Sequence, residues 1–222
     1  MAHMVPLARR EIFHILGIIH RDKDNTRVIG NWLNKIRPQV ITLEFSRYGH
    51  MFRKEKGPLY RKKIESVIAQ MKQNGEAADE EALSFLNAYI DPPSEYEAAS
   101  FYCNENGASL HLVDMDLFSY IKLKDIDELF SEKNIRSVAG TQSNHTNARE
   151  RIMARLFFHS GIQTAPYTEE MFIRDRYMGR RLGALLQDHK DKRIAHITGW
   201  QHLKDTCSIF APFHPIKVFP YD

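Results

Sequence analysis

The stretch from Glu11 to His20, EIFHILGIIH, constrains the fold of this chain more than any other. It is a short and nearly continuous run of β-branched and aromatic residues, which is typical of a strand buried on both faces of a sheet. Gly17 marks a position where another backbone or a ligand comes close. Because open α/β sheets bind ligands outside the carboxyl ends of their strands, we expect His20 to lie at a ligand-binding edge.

A strand–helix–strand unit follows from this first strand. The residues after His20 predict a helix that Pro38 ends, and residues 39–45, QVITLEF, predict a second strand that ends on Glu44. At this spacing the two strands are expected to be parallel and adjacent. His20 and Glu44 would then emerge at the same edge of the sheet.

The rest of the chain predicts an α/β fold with a mixed, mainly parallel central sheet flanked by helices. Thr168 begins a long predicted helix. Further strands are predicted at residues 109–114, 193–198 and 216–219, and helical insertions at about 46–90 and 136–165. The first insertion is expected to form a lid above the carboxyl ends of the strands. We expect a single domain over residues 5–222, with residues 1–4 as a cloning remnant.

Composition argues against several classes of protein. The 222 residues carry a net charge of only +3 with basic and acidic residues interspersed, so we expect no nucleic-acid partner. No apolar segment approaches the roughly 20 residues that span a bilayer, so no membrane partner is expected either. The two cysteines, Cys103 and Cys207, form no pairing motif. These features predict a cytoplasmic protein.

Ionisable residues close four of the predicted strands. Two strands end in the same pattern, Gly17-x-x-His20 and Gly199-x-x-His202, while Glu44 and Asp114 close two others. A neutral imidazole takes up a proton near neutral pH or ligates a transition metal, and a neighbouring carboxylate orients it or completes the metal shell. A single GxxH is a weak signal, and each histidine has a purely structural alternative. Their convergence at one edge favours a functional site.

The long helix after Thr168 carries two charges that require partners. On a helical wheel, Asp175 falls inside the apolar stripe and Arg174 lies at its edge, where burial without a partner is costly. Asp175 is expected to be structural and Arg174 to face the pocket, although both also suit a buried salt bridge. Asp114 either positions a histidine or caps the following helix.

Other histidines have different expected roles. His14, His111 and His196 lie in the middle of predicted strands, which indicates packed core residues. His145, with Asn144, lies in a polar loop that is a candidate to close over the site.

The motifs resemble, in their order along the chain, those of the TraB/Tiki superfamily. This superfamily groups pheromone-shutdown TraB/PrgY proteins, GumN-like proteins, Tiki metalloproteases, erythromycin esterases and haem-binding ChaN proteins. The matching pieces span about residues 11–205 and are Gly17-Ile-Ile-His20, Glu44, Glu97-Ala98 before Leu112-Val113-Asp114, Arg174-Asp175-Arg-Tyr-Met178 and Gly199-Trp-Gln-His202. Each motif is short, and the specificity lies in their combination.

The resemblance implies roles for four residues. His20 and His202 correspond to the two GxxH histidines, Glu44 to the acid of the second strand and Arg174 to the arginine of the long helix. In Tiki-like members these motifs are tied to metal-dependent hydrolysis. In erythromycin esterases, His and Glu act on a water molecule without an agreed metal.

Our leading hypothesis is a hydrolase that cleaves an ester or amide bond in a small-molecule or peptide substrate. His20, Glu44 and His202 either bind a divalent metal (Zn, Mn, Co or Fe) or activate a water directly, and Arg174 stabilises the oxyanion. The residues expected to support this site are Gly17, Asp114, Asp175 and Gly199.

The alternative is a binding protein for haem or another small ligand, in the manner of ChaN. Its candidate axial ligands are Tyr48, His50, Tyr60 and Tyr102. A signalling module without catalysis is a third possibility. A homodimer is compatible with each of these hypotheses.

Overall fold

The structure is a computed structural model that describes residues 13–22, 24–140, 146–162 and 166–221. Several predictions lie wholly or partly outside these residues: the cloning remnant at 1–4, the start of the first strand, the polar loop with Asn144 and His145, and parts of the insertion at about 136–165 and of the domain at 5–222. Among the helices within the described ranges, none has the combination of length and apolar character that crossing a membrane requires.

The described residues form an α/β fold with five strands. These strands are β1 (Phe13–Ile18), β2 (Val40–Leu43), β3 (Ser109–Leu112), β4 (Ile194–Gly199) and β5 (Ile216–Val218). The α-helices described are α1 (Asn25–Ile36), α2 (Arg47–Gln73), α3 (Glu80–Ile90), α4 (Ser94–Asn106), α5 (Asp116–Leu123), α6 (Ile126–Leu129), α7 (Glu132–Ala139), α8 (Thr146–Ser160) and α9 (Glu169–Asp188). Two 3-10 helices follow β4, at Trp200–Lys204 and Ala211–Phe213.

The sheet is parallel throughout its described strands, in the order β3-β2-β4-β1-β5. The predicted adjacency of β1 and β2 is therefore wrong, because β4 lies between them and pairs with both. All six residues of β4 are buried, as a central strand of a parallel sheet requires. The insertion of β4 brings the end of a third strand between the ends that carry His20 and Glu44.

Helices cover both faces of the sheet. Adjacent residues of β1 show the two faces, because Ile15 and Leu16 are both fully buried but belong to different clusters. The face that includes Leu16 packs against α1 and α4. The face that includes Ile15 packs against α8, α9 and the 3-10 helix after β4.

A second apolar core lies among the helices that leave the sheet. It joins α2 and α3 to α5, α6 and α7, with Leu86, Phe130 and Ile135 fully buried at its centre. The predicted insertion at about 46–90 supplies more than half of this core, and residues 116–139 supply the rest. A lid function for these helices stays a prediction.

The predicted insertion at about 46–90 begins with one long helix, α2. Ser46 caps it, since its side chain accepts a hydrogen bond from the Gly49 amide, and the helix continues through Gly57 and Pro58. A Cβ atom at Gly57 would lie 2.5 Å from the carbonyl oxygen of Ile90, so this glycine allows the end of α3 to approach α2 closely.

Two helical glycines are therefore expected to respond oppositely to alanine. Gly57→Ala forces α3 away from α2 and is expected to lower the free energy of unfolding by about 1–3 kcal/mol. Gly30→Ala, in α1, has no atom within 4 Å of the new Cβ and is expected to raise it by about 0.5–1 kcal/mol. Urea unfolding of the two variants measures both values, and equal stabilities would contradict the close packing of α2 on α3.

Candidate active site

The carboxyl ends of three neighbouring strands meet at one edge of the sheet. Ile18 of β1 pairs with Gly199 of β4, and Leu43 of β2 pairs with Ile197 of β4. Because these strands are parallel, the residues that follow them emerge together. The structure thus brings His20, Glu44 and His202 to a single site.

Glu44 lies at the centre of this site and both of its carboxylate oxygens are engaged. Oε1 accepts from the Arg174 guanidinium and lies 3.1 Å from Nε2 of His202. Oε2 accepts from the Thr198 hydroxyl at 2.5 Å and from the Gly199 amide at 2.8 Å. Burial alone would raise the pKa of Glu44, but the charges of His202 and Arg174 hold this pKa well below its usual range. Glu44 is therefore a buried carboxylate.

His202 lies between two carboxylates. Its Nδ1 contacts Asp175, which also accepts from the Tyr167 hydroxyl at 2.6 Å, while its Nε2 faces Glu44. Burial lowers the pKa of His202, but the charge of Glu44 and the hydrogen bond to Asp175 outweigh it and raise the pKa to about 10. At neutral pH His202 is an imidazolium that donates from both nitrogens.

Asp175 lies beside His202 in the site. It was expected to be a structural residue that supports the site, and its carboxylate contacts Nδ1 of His202. Asp175 is completely buried at the position where the helical wheel places a charge inside an apolar stripe.

Arg174 forms ion pairs with two acids, Asp114 and Glu44. Its Nε and Nη2 donate to Asp114 at 3.1 and 2.8 Å, and Nη2 also reaches Glu44. Its Nη1 has a looser approach to Glu170, at 3.7 Å. Asp114 therefore anchors the arginine. Among the contacts of the described residues it has none with a histidine, and Met115 occupies the cap position of α5.

His20 differs from His202 in exposure. Its side chain is 46% exposed, whereas that of His202 is 5% exposed. Nδ1 of His20 lies 3.0 Å from the buried carboxylate of Glu95, and Nε2 lies 4.0 Å from Oε2 of Glu44. Desolvation lowers the pKa of His20, but the hydrogen bond to Glu95 and the charge of Glu44 outweigh this effect, so the pKa lies above the ordinary value of a histidine.

Glu95 is a site residue that the sequence reasoning missed. The resemblance pointed to Glu97, which is exposed, whereas Glu95 in the first turn of α4 is buried against His20. The hydrogen bond to His20 lowers the pKa of Glu95 despite its burial. The available signal was an acid at the start of a helix that follows the Pro92-Pro93 break.

Each glycine of the two GxxH motifs makes room for the other motif. A Cβ at Gly17 would lie 2.4 Å from the Leu203 side chain and 3.1 Å from the backbone of Trp200. A Cβ at Gly199 would lie 2.7 Å from Nε2 of His20. The repeated pattern thus has a steric cause, because the two histidine-bearing turns pack against each other at these glycines.

The mid-strand histidine of β4 lies beneath the site. His196 is fully buried, with Nδ1 3.0 Å from the Thr42 hydroxyl, and burial lowers its pKa to about 4. It is therefore a neutral core residue, as predicted. His14 and His111 are only half-buried.

Two of the expected metal ligands, Glu44 and His202, already have protein partners in this arrangement. His202 offers no lone pair because both of its nitrogens face carboxylates, and Glu44 already accepts from four groups. The Arg174 charge on Glu44 also opposes a divalent cation. Within the described ranges, no group of three or more His, Cys, Asp or Glu side chains is arranged to hold a metal ion. These donors do not fit a metal as they stand.

The candidate haem ligands are also engaged in local packing. Tyr60 donates to Asp127 at 2.7 Å, and the buried Tyr102 hydroxyl lies 3.4 Å from the Pro38 carbonyl. Tyr48 packs on Phe52, and His50 on Tyr96.

The raised pKa of His202 predicts a dependence of stability on pH. The unfolded histidine has a pKa near 6.5, so the stabilisation from protonated His202 is complete below about 6.5 and is lost as the pH rises towards about 10. His202→Gln removes this charge and is expected to cost about 3–5 kcal/mol at neutral pH, because two buried carboxylates lose their partner.

The difference in unfolding free energy between wild type and His202→Gln should therefore shrink between pH 7 and about 10. Denaturant titrations at several pH values measure it, and His159→Gln on the exposed side of α8 serves as the matched control. A difference that is constant over this range would contradict a protonated His202.

Comparison of the chain with protein-family models, with curated proteins and with solved structures finds no match in any of the three. The resemblance to the TraB/Tiki superfamily stays a prediction from the motifs. What can be concluded about function rests on the geometry of the site.

Proposed function

We propose that this protein is a hydrolase in which His20 activates a water molecule for attack on an ester or amide bond. The observation that carries the proposal is the pairing of a half-exposed histidine with a buried carboxylate, Glu95, next to a fixed cluster of charges. A base oriented by a second group in this way is the arrangement that general-base catalysis requires.

His20 is suited to the role of base by the orientation of its ring. When Nδ1 carries a proton, it donates to Glu95, and Nε2 then has a lone pair that can accept a proton from water. Glu95 fixes this tautomer and stabilises the imidazolium that forms. The exposure of His20 admits water and substrate, which the buried His202 does not.

Arg174 is suited to stabilise the oxyanion of the attacked carbonyl. Its Nε and Nη2 are fixed by Asp114 and Glu44, so the guanidinium is held in place before substrate binds. Among the described contacts, Nη1 has only the one to Glu170 at 3.7 Å. Nη1 is therefore the nitrogen that can donate a hydrogen bond to the oxyanion.

In this proposal, Glu44 and His202 are positioning residues. Glu44 joins the two cations, and Asp175 holds His202 from the other side. They set the electrostatic field in which His20 and Arg174 act. The bound metal expected from the resemblance would require His202 to lose its proton and leave a carboxylate, so we propose direct activation of water.

Removal of the base should abolish most of the activity. His20→Gln is expected to lower kcat/KM about 10²–10⁴-fold, measured on p-nitrophenyl butyrate as an ester and on an acyl p-nitroanilide as an amide. His159→Gln is the matched control and should retain full activity. Wild-type activity in His20→Gln, or activity that chelation abolishes and Mn²⁺ or Zn²⁺ restores, would contradict the proposal.

The pH profile tests the role of Glu95. Since only neutral His20 acts as a base, kcat/KM should rise with pH, with a midpoint above 6.5. Glu95→Gln removes the carboxylate that raises the pKa of His20, so the midpoint should move to lower pH while the maximal rate falls. An unchanged midpoint would mean that Glu95 does not act on the titrating group.

A further inference from the structure

Two consecutive residues of α8, Glu150 and Arg151, contact the turns that carry the two site histidines. Arg151 reaches the turn after β1, next to His20, and Glu150 reaches the turn after β4, next to His202. Neither residue belongs to the charge cluster around Glu44. One helix therefore touches both GxxH turns from outside the site.

The contact with the first turn is a partly buried ion pair. Arg151 binds both carboxylate oxygens of Asp22, and its Nη2 also donates to Asp24 at 2.6 Å. The Asp22 side chain is completely buried, so this pair differs from an ordinary surface salt bridge. Asp22 lies two residues after His20 and fixes the path of the chain as it leaves the strand.

The first turn needs such a restraint because its backbone is strained. Arg21, directly after His20, has a φ of 61°, which residues other than glycine rarely adopt. Strained residues persist where the surroundings hold them. Asn25 donates to the Ile19 carbonyl at 2.9 Å, and the Ile19 amide donates to the Tyr221 hydroxyl at 2.8 Å. These bonds tie the start of the turn at Ile19 to its end at Asn25, and Arg151 holds Asp22 between them.

The contact with the second turn is a hydrogen bond to Trp200. The indole Nε1 donates to Glu150 at 3.3 Å, and the ring packs against Phe157, which lies about two turns further along α8. Trp200 is buried and lies two residues before His202. Helix α8 therefore contacts the same 3-10 helix that carries His202.

We propose that α8 sets the distance between the two histidine-bearing turns, with Arg151 and Glu150 as positioning residues for His20 and His202. The inference rests on the proposed hydrolase, because it assigns these residues a part in the same reaction. The two turns already touch at Gly17 and Gly199. A small displacement of either turn therefore changes the position of His20 relative to the turn after β4. A misplacement of about 1 Å at a reacting group can lower a rate about 100-fold.

The chain offers three matched variants for the test. Arg151→Met removes the ion pair, Arg151→Lys keeps the charge without the two-pronged contact, and Arg155→Met changes an exposed arginine one turn along the same helix. At a temperature where all are folded, Arg151→Met should lower kcat on p-nitrophenyl butyrate about 10–100-fold with little change in KM. Arg151→Lys should recover part of the loss, and Arg155→Met should match wild type.

A second measurement requires no activity. In uniformly ¹⁵N-labelled protein, the ring nitrogens of His20 should show a proton on Nδ1 in wild type and Arg155→Met, and a mixture of tautomers in Arg151→Met. For the other turn, Trp200 fluorescence is read in a Trp32→Phe background, since the chain has two tryptophans. Glu150→Ala should shift its emission, whereas Glu150→Gln, which keeps an acceptor, should not.

The outcomes separate the two proposals. Inactive wild-type protein with the expected His20 and Trp200 signals would overturn the hydrolase and retain the positioning role of α8. Active protein in which Arg151→Met changes kcat and the His20 tautomer no more than Arg155→Met would overturn the positioning role alone. A fall in kcat that matches the unfolded fraction of Arg151→Met would also overturn it.

Discussion

The buried carboxylate of Glu44 is the charge on which the rest of the site depends. A lone carboxylate at the end of a buried strand would be neutralised by protonation, so its ionised state requires compensation. Arg174 and His202 supply two positive charges, and the Thr198 hydroxyl and Gly199 amide supply hydrogen bonds. Arg174 is also paired with Asp114, and His202 with Asp175. The charges of this cluster therefore compensate one another, and His20 is the histidine of the site that is accessible to solvent.

The strand order makes this closure possible. Because β4 lies between β1 and β2, the amide of Gly199 and the hydroxyl of Thr198 are presented directly to Glu44. The absence of a side chain at Gly199 lets the His20 ring lie over β4, and the absence of one at Gly17 admits the turn after β4. The sheet thus supplies hydrogen-bond donors for Glu44 and room for the two histidine-bearing turns to pack together. Helices α4, α8 and α9 supply the charged residues that hold each histidine in place.

Much of this architecture follows from local patterns, and the exceptions have physical causes. Continuous apolar runs indicated the strands, and ionisable residues at their ends indicated the edge where they meet. Strand adjacency was wrong because a strand from the far end of the sequence lies between β1 and β2, and no local pattern encodes this pairing. Glu95 was missed because its contact with His20 depends on how α4 packs. Within the predicted insertion, α2 continues through Gly57-Pro58 because tertiary packing overrides the low helix propensity of these two residues.

Neutron diffraction from a perdeuterated crystal at a pH of about 8.5 is the most direct test of this arrangement of charges, because it locates the exchangeable hydrogens on both imidazoles. The expected result is deuterium on both nitrogens of His202, directed at Glu44 and Asp175, and on Nδ1 of His20, directed at Glu95. Deuterium on a single nitrogen of His202, or on Nε2 rather than Nδ1 of His20, would contradict it. The first result would make His202 a neutral ligand, and the second would leave His20 without a lone pair towards water.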